Sequence, residues 1–363
     1  MFTLGIDCRF ASKYTGLGNY TRSLTEKLLS RQDPWATVIF VTSKKEKWLE
    51  RLQGSSHQVY EAPFSHYSFR EQAAFPVLIK KTGCDLLFSP HFNVPFGLNI
   101  PFVCTIHDLI LHQFPNRATY LKKIAYRFLV RNSVNKAAGI ITVSQATKNE
   151  IFRRYGKNAG DKTQVIYPGI DPVFDTVSET DKIAIKKKYE IGGDYLLYVG
   201  NCKQHKNVPV LLEAFEAADL KGVTMLLVCS GEECVRFNRL NDVKIIKDVP
   251  HNELPAFYAA ALSFVTATLM EGFGFPVLEA MACRCPVIAT DCGSLPEVCG
   301  GSAILVKPSV NELSSAMKHL AENGNGIINA PKTGIAQAWA KSFTWERTAA
   351  QVAGVISNEL QSR

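Results

Sequence analysis

Apolar residues along this chain gather into short continuous runs separated by longer amphipathic stretches, and the pattern occurs twice. In the first half the runs fall at residues 4–7, 38–42, 85–89, 102–106 and 139–143, with helix-period stretches near 18–30, 119–136 and 145–155. In the second half they fall at 195–199, 224–229, 243–246, 262–266, 286–289 and 303–306, with helices near 208–218, 253–261, 276–283 and 311–322. Runs that are apolar at successive positions, and not at alternate ones, predict strands buried on both faces, the mark of parallel sheet. Each half therefore predicts a doubly wound, Rossmann-like α/β domain. The segment Tyr167-Pro168-Gly169-Ile170-Asp171-Pro172 interrupts regular structure and reads as the linker. The expected organisation is a first domain at 1–170, a second at 171–342, and a closing helix at 343–363. Ser342 or Thr344 can cap that helix, which is expected to cross back onto the first domain. Two such domains in series make a cleft between them the expected place for chemistry.

Composition narrows the class. With 363 residues, 46% hydrophobic and 20% charged, the chain is neither disordered nor fibrous. No apolar run reaches the roughly 20 residues that a membrane span needs; the nearest, 256–270, is broken by Tyr258, Ser263, Thr266 and Thr268. Met1 leads straight into a strand with no basic start or cleavage site, so a cytoplasmic location is expected. The net charge of +8 is unevenly placed: residues 1–180 carry +9 and residues 181–363 carry −1. A basic first half suits a phosphorylated or membrane-surface partner, although a solvated basic face explains it as well. The ten cysteines include no Cys-x-x-Cys pair, and Cys283, Cys285, Cys292 and Cys299 match no zinc module, so buried reduced thiols are expected.

Four stretches carry candidate chemistry. Thr15-Gly16-Leu17-Gly18-Asn19-Tyr20 follows the first strand and opens a helix, where Gly16 and Gly18 let the backbone approach an anion. A plain strand-to-helix turn explains it equally, because the third glycine of the dinucleotide fingerprint is absent. Cys104-Thr105-Ile106-His107-Asp108-Leu109 ends a strand on two polar residues, which puts His107 where such sheets bind ligands; a lone histidine is more often structural, and the strand end and the adjacent acid are what favour a functional reading. Ser144 ends the next strand, where helix capping is the better explanation. Gly200-Asn201-Cys202-Lys203-Gln204-His205-Lys206-Asn207 follows the first strand of the second half, and Lys206 with His205 can neutralise a diphosphate there, although exposed loop lysines explain this stretch equally. The most specific stretch is Glu271-Gly272-Phe273-Gly274-Phe275-Pro276-Val277-Leu278-Glu279. Two glycines and a proline in the first helical turn expose a helix N-terminus; two carboxylates near a helix start can serve its dipole alone, but beside glycines that admit a ligand, Glu271 and Glu279 read as acceptors for sugar or ribose hydroxyls. The chain contains no Asp-x-Asp, so a bound diphosphate would be met by lysine and helix N-termini in place of a metal.

In that order, together with Ile166-Tyr167-Pro168-Gly169-Ile170-Asp171, Gly293-Ser294-Leu295-Pro296-Glu297-Val298 and Phe343-Thr344-Trp345, these motifs resemble retaining glycosyltransferases of family 4 along nearly the whole chain. The resemblance implies the GT-B fold, two Rossmann-like domains facing across a cleft. It implies transfer of a sugar from a nucleotide diphosphate to an acceptor hydroxyl with retention, and no cofactor or metal. By the same resemblance, His205 and Lys206, with Asn201 in their loop, meet the diphosphate, and Gly16 and Gly18 approach it from the other wall. Glu271, with the backbone of Gly272, Phe273 and Gly274, matches the part that holds the donor sugar, and His107 the histidine that faces it. Glu279 matches the acid on the ribose, and Val249-Pro250 lies where the family reads the base. His205 stands where many relatives have arginine, Arg284 where glycine is usual, and Gly301 where aspartate is common.

The style of these motifs is closest to bacterial polysaccharide mannosyltransferases, which implies GDP-mannose, with UDP-glucose, UDP-galactose and UDP-N-acetylhexosamine as the alternative donors. The implied acceptor is a glycan, including one linked to polyprenyl diphosphate at the inner membrane face. Peripheral membrane contact would then involve the basic helix with Lys122, Lys123, Arg127 and Arg131, which one solvated helix face explains equally. A nucleotide-sugar epimerase of the same fold and a non-catalytic nucleotide-sugar-binding protein are the competing readings. No nucleic-acid partner is expected, because the basic residues are scattered.

Overall fold

The computed structural model describes residues 2–13, 15–52, 57–114, 120–175, 177–229, 231–237, 242–323 and 330–361. Thr119 and the side chain of Lys122, both part of the basic helix read from sequence, lie outside the described residues. The chain divides into two compact units, Met1–Gly169 with Thr344–Arg363, and Ile170–Phe343.

The first unit is built on seven parallel strands: β1 (Phe2–Asp7), β2 (Trp35–Val41), β3 (His57–Glu61), β4 (Leu86–Ser89), β5 (Phe102–Ile106), β6 (Gly139–Thr142) and β7 (Thr163–Val165). Their order across the sheet is β3-β2-β1-β4-β5-β6-β7. The second unit carries β8 (Asp194–Gly200), β9 (Val223–Cys229), β10 (Val243–Lys247), β11 (Ser263–Val265), β12 (Val287–Thr290) and β13 (Ile304–Val306). They are ordered β10-β9-β8-β11-β12-β13. Both sheets thus run outward in two directions from their first strand. Strand order reverses between β1 and β4 and again between β8 and β11, and in such sheets the crevice beyond the strand ends at that reversal receives the ligand.

The continuous apolar runs are buried as expected: every residue of β4, β5 and β6 is buried. Helices Gln145–Tyr155 and Val208–Ala218 occupy the positions read from periodicity. Ser144 caps the first of these, its hydroxyl accepting from the Thr147 N–H at 3.1 Å, which is the structural explanation expected for that serine.

The last helix, Trp345–Gln361, is held in the first unit. Thr344 caps it through the Arg347 N–H at 3.2 Å. The Thr348 hydroxyl donates to the Tyr167 carbonyl at 2.8 Å, and Lys27 pairs with Glu346 at 2.6 Å. Close approach is the reason for Gly169: a Cβ there would stand 2.2 Å from the Trp345 nitrogen.

One expectation fails. The cysteines are not all reduced thiols: Cys202 and Cys234 form a disulfide, with eight thiols left free. Sequence spacing missed it because the partners lie 32 positions apart on separate loops that only the sheet brings together. No helix of the described residues is long and apolar enough to cross a membrane.

Candidate functional site

The strand-order reversal of the second unit is framed by two loops, 201–207 after β8 and 266–274 after β11. The first closes on itself: the Lys203 N–H donates to the Asn201 side chain at 3.2 Å, and the Lys206 N–H to the Lys203 carbonyl at 2.9 Å. A short 3-10 helix, Gln204–Lys206, then ends at Asn207 in the left-handed region (φ 53°). The His205 carbonyl ties this loop to its neighbour, accepting from the Leu269 N–H at 2.7 Å and the Thr268 hydroxyl at 3.0 Å.

That tie aims the Lys206 ammonium at the Glu271 carboxylate, and the two form an ion pair. Their side chains are only 12% and 15% exposed, so this is no loose surface pair of negligible strength. Lysine and acid, read separately from sequence, occupy one site.

His205 departs from expectation. Its imidazole is buried, and burial, reinforced by neighbouring Lys206, pushes its pKa down to about 4 against a weaker opposite pull from Glu271. At neutral pH it is an uncharged imidazole and not a stand-in for arginine's charge. Its backbone carbonyl, through Leu269 and Thr268, positions the loop.

The backbone behind Glu271 is fixed by Ser294, whose hydroxyl lies 2.7 Å from the Phe273 carbonyl and 3.2 Å from the Glu271 carbonyl. A Cβ on Gly293 would stand 3.0 Å from the Glu271 nitrogen, so the glycine lets this loop pack closely. Gly274 adopts φ 104° and caps the helix Phe275–Ala282, with Pro276 in its first turn. Gly272 and Phe273 are buried beside it, and the Phe273 ring packs on Phe275 and Phe343.

On the same helix Glu279 is half-buried and accepts from the Tyr258 hydroxyl at 2.8 Å. Burial is the chief reason that its pKa rises to about 7; Tyr258 and His251 oppose the rise, and Asp171 adds to it. Val249 and Pro250 follow β10, and His251, which feels the Glu279 charge, is the next residue. Arg284 takes up a left-handed conformation (φ 57°) that suits glycine, its Nε donating to Gln337 at 2.8 Å. It sits past the helix, in contact with that glutamine.

In the first unit, His107 follows β5 and its Nε2 lies 2.8 Å from the Pro90 carbonyl. Donation to a carbonyl fixes the proton on Nε2 and the lone pair on Nδ1. Burial pushes the pKa to about 4, so His107 is neutral. Tyr20 meets it edge-on, with ring centroids 4.6 Å apart. Gly18 has a local cause: a Cβ would stand 1.8 Å from the Lys13 carbonyl oxygen. Gly16 has open space around its Cα, and Thr15 caps the helix by accepting from the Gly18 N–H at 3.3 Å.

Sequence reasoning missed a buried polar cluster at the strand-order reversal of this unit. Arg9, fully buried, forks onto Asp7 through Nε at 2.8 Å and Nη2 at 2.7 Å, and reaches Glu71 at 2.8 Å. Its guanidinium also lies over the Phe75 ring, 3.9 Å from the centroid. Glu71 accepts from Asn93 at 2.8 Å. Burial alone would raise the Glu71 pKa, but His66, Arg9 and Asn93 together hold it below the ordinary value. His66 stacks on Phe10 at 3.7 Å, and His91 is driven to its neutral form by burial. Asp7-Cys8-Arg9 was visible as a strand end, but Glu71 and Asn93 arrive from a helix and a loop that periodicity did not connect to it.

Comparison with known proteins agrees with this layout. The sequence model described as Glycosyltransferase Family 4 matches residues 14–174, and that described as Glycosyl transferases group 1 matches residues 193–323. O-antigen chain mannosyltransferase B of Escherichia coli is 30% identical over 280 residues, covering 72% of this chain and 71% of that protein. The O-antigen chain mannosyltransferase RfbU of Salmonella typhimurium is 28% identical, covering 73% of each. Among solved structures, HepE of Anabaena in complex with UDP and glucose superimposes with a TM-score of 0.74 at 19% identity, over 99% of this chain and 100% of that one. Sucrose-phosphate synthase of Thermosynechococcus elongatus reaches 0.79 at 19% identity over the full length of both. These likenesses establish the GT-B arrangement of two Rossmann-like domains.

Proposed function

Because this chain belongs to glycosyltransferase family 4, we propose that it moves a mannosyl residue from GDP-mannose to an acceptor hydroxyl in bacterial surface-polysaccharide synthesis, with retention and without a metal. The observation that carries the reading is the half-buried Lys206–Glu271 pair at the strand-order reversal of the second unit. Two relatives named as O-antigen mannosyltransferases support the choice of sugar. Leaving-group departure places negative charge on a diphosphate, and a fixed ammonium held by its loop stabilises that charge without reorganising. Glu271 then exchanges its lysine partner for donor-sugar hydroxyls, the adjacent turn at Gly272, Phe273 and Gly274 closing around the sugar. Glu279 accepts from the ribose and Val249-Pro250 borders the base. With its lone pair on Nδ1, neutral His107 offers an acceptor to a sugar hydroxyl and no positive charge. The departing phosphate takes the acceptor proton while the acceptor attacks the face that it leaves. The acceptor is a glycan or a polyprenyl-diphosphate-linked glycan reached from the cytoplasm.

The test is thermal stabilisation by a panel of GDP- and UDP-sugars. At 100 times its dissociation constant the true donor adds about 2.7 kcal/mol. GDP-mannose is expected to give that shift, undiminished by EDTA. A shift restricted to a UDP-sugar overturns the choice of donor, a requirement for divalent metal overturns the electrostatic account, and binding without turnover of any acceptor identifies a non-catalytic binding protein.

A second expectation concerns pH. An ionised Glu279 is the better acceptor for ribose hydroxyls, so GDP affinity should rise as pH passes upward through about 7. For folding the sign is opposite. The raised pKa means that the neutral form contributes stability, present below the ordinary value of 4.5 and lost as pH climbs through about 7. Tyr258→Phe removes a hydrogen bond that favours the carboxylate, so calorimetric GDP titrations should show the affinity midpoint moving to higher pH. An unmoved midpoint would separate Glu279 from nucleotide binding.

A further inference from the structure

Cys202 stands four residues before Lys206 in the loop after β8, and its disulfide partner Cys234 lies in the short 3-10 helix Glu232–Phe237 that follows β9. A third sulfur, that of Cys229 at the end of β9, is 3.7 Å from the Cys202 Sγ. All three side chains are buried, and their sulfurs lie within 4.8 Å of one another. We propose that this three-cysteine centre is a redox-modification site in which the Cys202–Cys234 bridge holds the Lys206 loop in its diphosphate-binding form and its reduction by a dithiol releases that form. The proposal rests on the reading of Lys206 as a diphosphate ligand.

The loop is pinned at two ends. Its second half is held by the His205 carbonyl, which accepts from Leu269 and Thr268. Its first half is held covalently by the bridge, with the Tyr198 hydroxyl donating to the Asn201 carbonyl at 2.6 Å. Opening the bridge removes the covalent restraint from the half that includes Asn201 and Lys203, whose mutual hydrogen bond shapes the turn into Lys206. A cation that must be ordered on binding gives weaker affinity than one already in place.

The chemistry needs one co-reactant, a dithiol reductant. One of its thiolates attacks a cystine sulfur and forms a mixed disulfide while the other protein sulfur leaves as thiolate. The second thiol of the reductant then closes onto the first, so two electrons pass to the protein, both cysteines end as thiols after protonation, and the reductant leaves as its disulfide. The neighbours Lys203 and Glu233 are exposed, so local opening of these loops brings the bond to solvent. Cys229 does not compete at neutral pH, because burial pushes its thiol up to about 12 and keeps it protonated. A bridge of this kind in the reducing compartment proposed for this protein fits redox sensing better than permanent bracing.

The experiment uses the full chain in two states, oxidised with diamide and reduced with dithiothreitol. Alkylation in denaturant should count eight thiols in the first and ten in the second. Calorimetric titration with GDP and with UDP should then give a dissociation constant at least about 5-fold weaker in the reduced state for whichever nucleotide binds. Reoxidation should restore the value, and Cys234→Ser should bind like the reduced protein in both conditions. The reduced wild type makes the same comparison should that variant fail to fold. Equal affinity in the two states, ten thiols after oxidation, or a bridge mapped to Cys229 overturns the proposal. Absence of nucleotide binding in the oxidised state instead removes the diphosphate reading itself, and the proposal with it.

Discussion

Lys206→Ala is expected to lower kcat/KM for the preferred nucleotide sugar by about 100- to 1,000-fold, the range found when one preorganised group facing developing negative charge is removed. The size follows from where the ammonium sits. It is 12% exposed, its loop is fixed by the His205 carbonyl, and Glu271 alone faces it as an ion-pair partner among the pairs described. Deletion takes away the positive charge proposed to face the diphosphate and also leaves the Glu271 carboxylate, 15% exposed, without its counter-charge. Both effects weaken the transition state. Lys206→Arg keeps the charge on a larger, planar head, and should recover part of the loss but not all, since the short loop leaves limited room. Glu271→Gln separates the two partners: GDP alone should bind as well as to the wild type or better, because the lysine no longer pairs with an acid, while kcat falls. Steady-state kinetics with calorimetry of GDP checks each variant. Lys206→Ala within about threefold of wild type would remove the lysine from the reaction.

The second large effect is on stability. Arg9→Met should cost about 3–5 kcal/mol, the penalty for breaking a buried ion pair by removing one partner. Arg9 is 0% exposed, and its partners Asp7 and Glu71 are 2% and 0% exposed, so both carboxylates would be stranded away from solvent. For a folding unit of about 150–250 residues each kcal/mol moves Tm by about 2–4 °C, so scanning calorimetry should show a fall of about 6–20 °C. The triple variant Arg9→Met, Asp7→Asn, Glu71→Gln removes the stranded charges along with the cation and should recover much of that fall. The comparison distinguishes uncompensated charge from lost packing of Arg9 on Phe75. A single variant that melts within about 2 °C of wild type would mean that water reaches this cluster.

The elements that were legible are those whose burial is complete. Strand β5 and the helices Gln145–Tyr155 and Val208–Ala218 stand where the apolar pattern put them, because a segment covered on both sides, or striped for one core, must declare itself in composition. The elements missed obey no such demand. β3, His57–Glu61, is an edge strand with no fully buried residue, so its polar and apolar positions carry no run. β7 is only three residues long, at the other edge. Helix Phe69–Lys81 holds Pro76 inside and a 96% exposed Phe69, which blur its stripe. Helix Glu179–Lys188 buries Ile185 alone within a charged stretch.

The order of motifs along the chain settled which family this is and which side chains to suspect, because glycines at tight turns, a proline in a first helical turn and acids beside them are local requirements written where they act. Three-dimensional packing decided the rest. It joined Lys206 to Glu271 across the gap between two strands, set His205 and His107 as neutral rings, linked Cys202 to Cys234, and gathered Arg9, Asp7, Glu71 and Asn93 into one dry cluster. Partner choice and charge state depend on distance and on exclusion of water, and neither quantity exists until the sheets have formed.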